Sequence, residues 1–390
     1  AVLADLDDDG TLDVVFTHSS FFTGFSVQFG NGAGGFQSPQ NYPTGIYFAS
    51  EAMVGDVDHD GDLDVVLVGN QVDHTGVVQV WENDGDGVFT AASTIGGVGT
   101  SPYQSVLADM NGDGWLDVAI SHENGTASIM LSDKAGGFQP PTVFHGVGEA
   151  GIAIGLAVAD VNGDGDLDVV TANHEANTVS VLLGDGLGGL GAPTPYSAMG
   201  GDRALSIAAG DFDGDGDADI AVGSYYASST QSDGVTVLQN NGSGVFGSSL
   251  FLEIGVDAQP GAIAAVDVNG DGKADIVTSN VFSNSVSVLL SQGGVSPGNP
   301  FASGDLDIAD ADTGEDSFVF NAADLQGTYG DFTFNTGSGA WTYTLDNADP
   351  DTQALANSDV FFDSLTVHSF DGTASATITV EIHGSSEYWL

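Results

Sequence analysis

The chain has 390 residues, enough for two or three domains with packed cores at roughly 150 residues per domain. Three basic side chains, Lys134, Arg203 and Lys273, stand against 55 acidic ones, and the formal charge of -52 repels phosphate backbones and anionic membranes, so nucleic-acid partners and membrane insertion are not expected. Hydrophobic residues at 41% are too many for an acidic disordered tract, zero cysteines exclude disulfides and thiolate chemistry, and the longest apolar run, Ala150 to Ala159, is far short of a membrane span.

From the first residues onward the chain repeats itself. The segments Asp5 to Asp13, Asp56 to Asp64, Asp109 to Asp117, Asp160 to Asp168, Asp211 to Asp219 and Asp267 to Asp275 share the pattern D-x-[DN]-x-D-G-x-x-D, with first residues spaced by 51, 53, 51, 51 and 56. A short apolar run precedes each motif, as in Ile152 to Ala159. A β-branched run follows at once, as in Val14-Val15-Phe16, Val65-Val66-Leu67 and Val169-Val170-Thr171. A third strand-like stretch comes about fifteen residues later, for example Val78 to Trp81 and Val179 to Leu183, and a Gly-rich turn with an aromatic closes the unit, as in Gly136-Gly137-Phe138. Four short strands per repeat of about fifty residues is the period of a propeller blade. The expected fold is therefore all-β, with residues 1–297 forming a β-propeller of six blades. Seven is the alternative, because the sixth unit ends in Gly293-Gly294-Val295 without the aromatic.

Within each motif, oxygens at alternate positions face one centre, and Gly at position 6 supplies the positive φ of a sharp turn. Position 1 is Asp5, Asp56, Asp109, Asp160, Asp211 or Asp267, and position 3 is Asp7, Asp58, Asn111, Asn162, Asp213 or Asn269. Position 5 is Asp9, Asp60, Asp113, Asp164, Asp215 or Asp271, and position 9 is Asp13, Asp64, Asp117, Asp168, Asp219 or Asp275. Hard oxygen donors in this number suit calcium, with six to eight ligands at about 2.3–2.6 Å. A helical EF-hand reading fails, because position 12 is Phe16, Leu67, Ile120, Thr171, Val222 or Thr278 and strand formers follow. Acidic turns that bind nothing are the bland alternative. Crowding three or four carboxylates without a cation would cost several kcal/mol per loop even at an effective dielectric of ~20, so about six calcium sites are expected.

These motifs, with the following V-V or I-V strand and the closing F-G or G-G-F, resemble the FG-GAP/VCBS-repeat β-propellers, which are related to the head of integrin α subunits. The resemblance covers roughly 290 residues. It implies that each calcium loop joins the first and second strands of a blade, and it implies no catalytic activity.

From Gly298 alternating strands replace the repeat: Phe318 to Phe320, Phe332 to Phe334, Trp341 to Leu345, Leu365 to Val367 and Ile378 to Ile382 read as half-buried strands of a small β-sandwich over 298–390. The strings Gly339 to Asn347 and Phe370 to Ala374 resemble the VCBS-type, Ig- or cadherin-like domain of bacterial adhesins. Asp305, Asp307, Asp310 and Asp312 are candidates for one more calcium site at the junction, with a solvated acidic linker as the equal alternative.

No G-x-S-x-G, H-E-x-x-H or P-loop is present, and an enzyme is not expected. His18 and His122 lie five residues after the last Asp of their motifs, and the same register holds Gly69, Asn173, Ser224 and Asn280, with Asn70, Glu123, His174 and Tyr225 adjoining. His18, Asn70, His122, Glu123, His174, Tyr225 and Asn280 form a candidate face for a glycan or protein, opposite the calcium loops. Turn-satisfying side chains are the competing reading. The expected function is an extracellular, secreted or cell-surface calcium-binding protein used in adhesion or as a structural subunit, in a homo-oligomer or polymer. The alternatives are a calcium-dependent lectin or a non-catalytic part of a secreted polysaccharide-degrading enzyme.

Overall fold

The computed structural model describes residues 1–18, 24–147, 152–198, 203–225, 232–256, 258–270, 272–283, 285–291, 301–304, 306, 317–346, 352, 360–370 and 375–383. Among them the structure is almost wholly β, with one 3-10 turn at Ala322–Leu325.

Five four-stranded sheets follow one another along the chain, each with its strands in sequence order. The first holds β1 (Val2–Ala4), β2 (Asp13–His18), β3 (Gly24–Gln28) and β4 (Gln40–Pro43). The second holds β5 (Phe48–Gly55), β6 (Asp64–Asn70), β7 (Thr75–Asn83) and β8 (Phe89–Thr100). The third holds β9 (Pro102–Ala108), β10 (Asp117–His122), β11 (Ala127–Met130) and β12 (Thr142–Phe144). The fourth holds β13 (Ala153–Ala159), β14 (Asp168–Asn173), β15 (Thr178–Leu182) and β16 (Thr194–Ser197). The fifth holds β17 (Arg203–Gly210), β18 (Asp219–Tyr225), β19 (Ser232–Asn240) and β20 (Phe246–Val256).

The sixth repeat departs from this plan. Its three strands, β21 (Pro260–Val266), β22 (Asp275–Asn280) and β23 (Ser285–Leu290), are continued by C-terminal strands rather than by a fourth strand of their own. β29 (Ser375–His383) pairs with β23 in parallel, Ser287 opposite Ser375 and Leu290 opposite Ile378. β28 (Val360–Ser369) and β25 (Phe318–Val319) extend the same sheet to six strands. A boundary at 297/298 thus cuts through a continuous sheet. The physical reason is the open edge of β23: its unpaired N–H and C=O groups need a partner, and β29 supplies one.

The chain divides into two compact units, residues 1–207 with 240–249, and residues 208–239 with 250–390; the fifth sheet contributes to both. In the first unit, adjoining sheets bury opposite faces of each strand against one another. Val15, Phe25 and Val27 of the first sheet pack with Val65, Leu67 and Val77 of the second. Val66, Val68, Val78 and Val80, on the other face of the second sheet, pack with Val118, Ile120 and Met130 of the third. This explains why β6 is buried at every residue, and why an unbroken Val-Val-Leu-Val run suits it better than an alternating one. In the second unit, Ala221, Val235 and Val237 pack with Ile276 and Leu289. The C-terminal strands fold as two layers. β24 (Phe301–Gly304), β27 (Trp341–Leu345) and β26 (Gly330–Phe334) form a three-stranded sheet, and Trp341, Tyr343 and Phe332 share a core with Leu365, Val367, Ile378 and Val380 of the six-stranded sheet.

Candidate metal centre

All six acidic motifs occupy the connection between the first and second strands of a repeat, and their last Asp is the first residue of β2, β6, β10, β14, β18 or β22. The turn is held by its own carboxylates. The position-1 Asp accepts the N–H of the position-6 glycine in every loop: Gly10 to Asp5 at 2.9 Å, Gly61 to Asp56 at 3.2 Å, Gly114 to Asp109 at 2.7 Å, Gly165 to Asp160 at 2.9 Å, Gly216 to Asp211 at 3.1 Å and Gly272 to Asp267 at 2.8 Å. Those glycines have φ between 83° and 103°. Position 4 is left-handed as well, and here Asp8 at 54° and His59 at 63° stand where the other loops use Gly. At position 3, Asp58, Asn111, Asn162 and Asp213 accept the N–H of Asp60, Asp113, Asp164 and Asp215.

The position-9 carboxylates do more than the motif suggests. Asp13, Asp64, Asp117, Asp168, Asp219 and Asp275 are fully buried. One oxygen of Asp64 accepts the N–H of Val57 inside the loop at 3.0 Å, and the other accepts the N–H of Asn83 at the end of the third strand, also at 3.0 Å. Asp13 does the same with Leu6 and Gly30, Asp117 with Met110 and Ser132, Asp168 with Val161 and Gly184, and Asp275 with Val268 and Ser291. Position 9 is therefore a strut joining loop, second strand and third strand, whatever else it binds.

In the three loops with Asp at position 3 the carboxylates converge: oxygens of Asp5, Asp7 and Asp13 lie within 4.8 Å of one another, as do those of Asp56, Asp58 and Asp64, and of Asp211, Asp213 and Asp219. Burial, followed by the charges of Asp13 and Asp9, raises the affinity of Asp7 for a proton. Burial does the same to Asp58 and Asp213, and it pushes Asp64 and Asp117 up to about 6. Two oxygens, Asp7 Oδ1 and Asp56 Oδ1, are buried with no hydrogen-bond partner among the described residues. Unpartnered carboxylate oxygens in an anionic cluster are what a hard divalent cation satisfies, so these residues fit calcium. Bound there, the ion would supply the positive charge that the loops lack.

A profile of FG-GAP-like repeats matches residues 5–67, 56–120, 109–171, 160–222 and 225–278, and one of the FG-GAP repeat matches 204–243. The chain belongs to the FG-GAP-like repeat family. Among curated proteins no sequence matches it. A solved structure of an Agrocybe aegerita lectin, described as recognising non-reducing terminal N-acetylglucosamine, is similar at 22% identity with a TM-score of 0.49, over 71% of this chain and 73% of that one. A BBS1N chain in complex with ARL6DN is similar at 11% identity with a TM-score of 0.49, over 89% of this chain and 91% of that one.

The remaining candidates fall out differently. Asn70, His122, His174 and Asn280 are buried, Glu123 is exposed, and His18 and Tyr225 are half-buried. The register five residues after the motif is used for cross-strand bonds: His18 Nε2 meets Ser26 Oγ at 2.6 Å, and His122 Nε2 meets Ser128 Oγ at 2.8 Å. Asn173 and Asn280 donate to Ser180 and Ser287, both at 2.8 Å. Of the seven candidates for a ligand face four are buried, and His18, His122 and Asn280 tie the second strand to the third. Asp271, Asp305, Asp307, Asp310 and Asp312 lie outside the described residues. Sequence reasoning missed Lys134, whose ammonium lies 3.0 Å from Asp113 Oδ2, and the stack of His59 on Trp115, ring centroids 3.8 Å apart, between the second and third loops.

Proposed function

We propose that the protein is a calcium-dependent extracellular repeat module that serves adhesion or surface structure rather than catalysis. The observation that carries the calcium reading is the pair of buried, unpartnered oxygens, Asp7 Oδ1 and Asp56 Oδ1, inside carboxylate clusters. A cation binding only the folded chain stabilises it by about 2.7 kcal/mol per site at a hundredfold excess over Kd. Several such sites rival the whole stability of a domain. Loops of the weak extracellular class, Kd about 10⁻⁴–10⁻³ M, would stay empty in calcium-poor cytosol, which favours an extracellular setting for a calcium-dependent fold. The charge of -52 points the same way, since a saline medium screens it while nucleic acid and anionic lipid are repelled by it. The FG-GAP-like repeats fit an adhesive or structural role.

Calorimetric titration of chelator-stripped protein tests the proposal. It should show calcium uptake at several loops and a melting temperature that rises with calcium. A melting temperature indifferent to calcium and to EGTA at low salt overturns it.

A further inference from the structure

We infer that Lys134 is a tethered cation that sets the calcium affinity of the third loop, Asp109 to Asp117; the inference rests on the calcium reading above. Lys134 Nζ lies 3.0 Å from Oδ2 of Asp113, the position-5 ligand candidate.

The backbone gives an independent reason to see the side chain as placed. Lys134 belongs to the Gly-rich turn after the third strand, and its φ is 60°. At the same register the other repeats carry Gly32, Gly85, Gly186 and Gly242, with φ of 66°, 81°, 65° and 75°. A lysine in this left-handed conformation is strained where glycine is not, by about 1–2 kcal/mol. What it gains is reach to Asp113. The third loop also has Asn111 at position 3, so it starts with one carboxylate fewer than the first, second and fifth. A divalent ion entering there must displace the ammonium from Asp113 or share the carboxylate with it. The pair is half exposed, so displacement weakens binding without preventing it.

Trp115 at position 7 makes the test site-specific, because an indole beside the loop sensitises terbium luminescence. Terbium would be titrated into the chelator-stripped full chain, excited at the indole and then displaced by calcium. Trp115→Phe identifies the third-loop signal, and the melting temperature is followed in parallel. Lys134→Met, which keeps the strain and removes the charge, should tighten the Trp115-dependent titration about two- to fivefold, the range expected for an exposed ion pair. Lys134→Gly should tighten it similarly and melt higher, and Lys134→Arg should leave it unchanged. An unchanged or weaker titration in Lys134→Met, or a Trp115-dependent signal absent from every variant while other loops bind, overturns the inference and leaves the calcium reading intact. Absence of calcium and terbium uptake at all loops defeats both.

Discussion

Asn83 at the end of β7 donates its side-chain N–H to the carbonyl oxygen of Leu6, 77 residues earlier, at 2.8 Å. Leu6 is position 2 of the first acidic loop, so one repeat rivets the acidic loop of the repeat before it. The same amide also donates to Leu63 O at 3.1 Å, and Asn83 Oδ1 accepts the N–H of Gly87. Asn240 repeats the contact on Val161 O at 2.7 Å. Because Asn83 is buried, Asn83→Ala should orphan several polar groups and destabilise the chain by about 1–3 kcal/mol. Urea unfolding measures it, and a loss below about 0.5 kcal/mol would show that water replaces the rivet.

Two acids of one loop should behave oppositely toward calcium. Asp64 holds two backbone N–H groups in the buried strut, so Asp64→Ala should destabilise the protein by about 2–4 kcal/mol with or without calcium. Asp58→Asn leaves the strut intact and removes one charge from the cluster, so it should lower the calcium-induced rise in melting temperature and leave the EGTA value unchanged or higher. Equal losses for both variants in EGTA would contradict this division of labour.

Without calcium, the acidic loops set the pH dependence. Asp64 and Asp117 titrate near 6 in the folded chain, above an unfolded value of about 3.9. A raised carboxylate favours folding most when protonated, so stability is fully present below about pH 4 and is lost as pH rises through 6. Bound calcium requires the ionised form and reverses the slope. In a His122→Asn background, which removes the opposing histidine, melting curves in EGTA from pH 4 to 8 should therefore decline and then level off, while those in calcium should rise. A rising EGTA curve would mean that the loops are not strained by their own charge.

His122 contributes with the opposite sign. Burial pushes it down to about 4 from an unfolded value of about 6.5, its Nε2 engages Ser128, and its Nδ1 has no partner among the described residues. Its share of stability is complete above 6.5 and is lost as pH falls toward 4. The melting-temperature gap between the native chain and His122→Asn should thus shrink between pH 7 and pH 4. A gap constant with pH would show that His122 never charges on unfolding.

Salt should stabilise the protein even with its loops saturated. Three basic residues cannot offset 55 acids, so mobile ions must. The Debye length falls from about 30 Å at 0.01 M to below about 8 Å at seawater-like strength, and the melting temperature should climb over that range in fixed calcium. A flat or falling curve would count against a saline habitat.

What the chain determined by itself was local. D-x-[DN]-x-D-G-x-x-D places its donors within nine residues of one turn, so the loop, its left-handed glycine at Gly10 or Gly114 and the following strand were all legible from spacing. The four left-handed glycines at position 4 were equally visible in Asn-Gly-Asp-Gly and Asp-Gly-Asp-Gly, though their conformation was read only from the structure. Tertiary structure decided whatever depended on register between distant strands. Nothing near Asp117 announces that its second oxygen will meet the N–H of Ser132, or near His122 that Ser128 will take its ring nitrogen and leave it buried. Nor does Ser287 reveal that Ser375 will lie beside it in a parallel pair. A turn closes through a few dihedral angles that the local residues control, whereas strand pairing is chosen by the burial of whole faces and the satisfaction of open edges, which only the assembled sheets define.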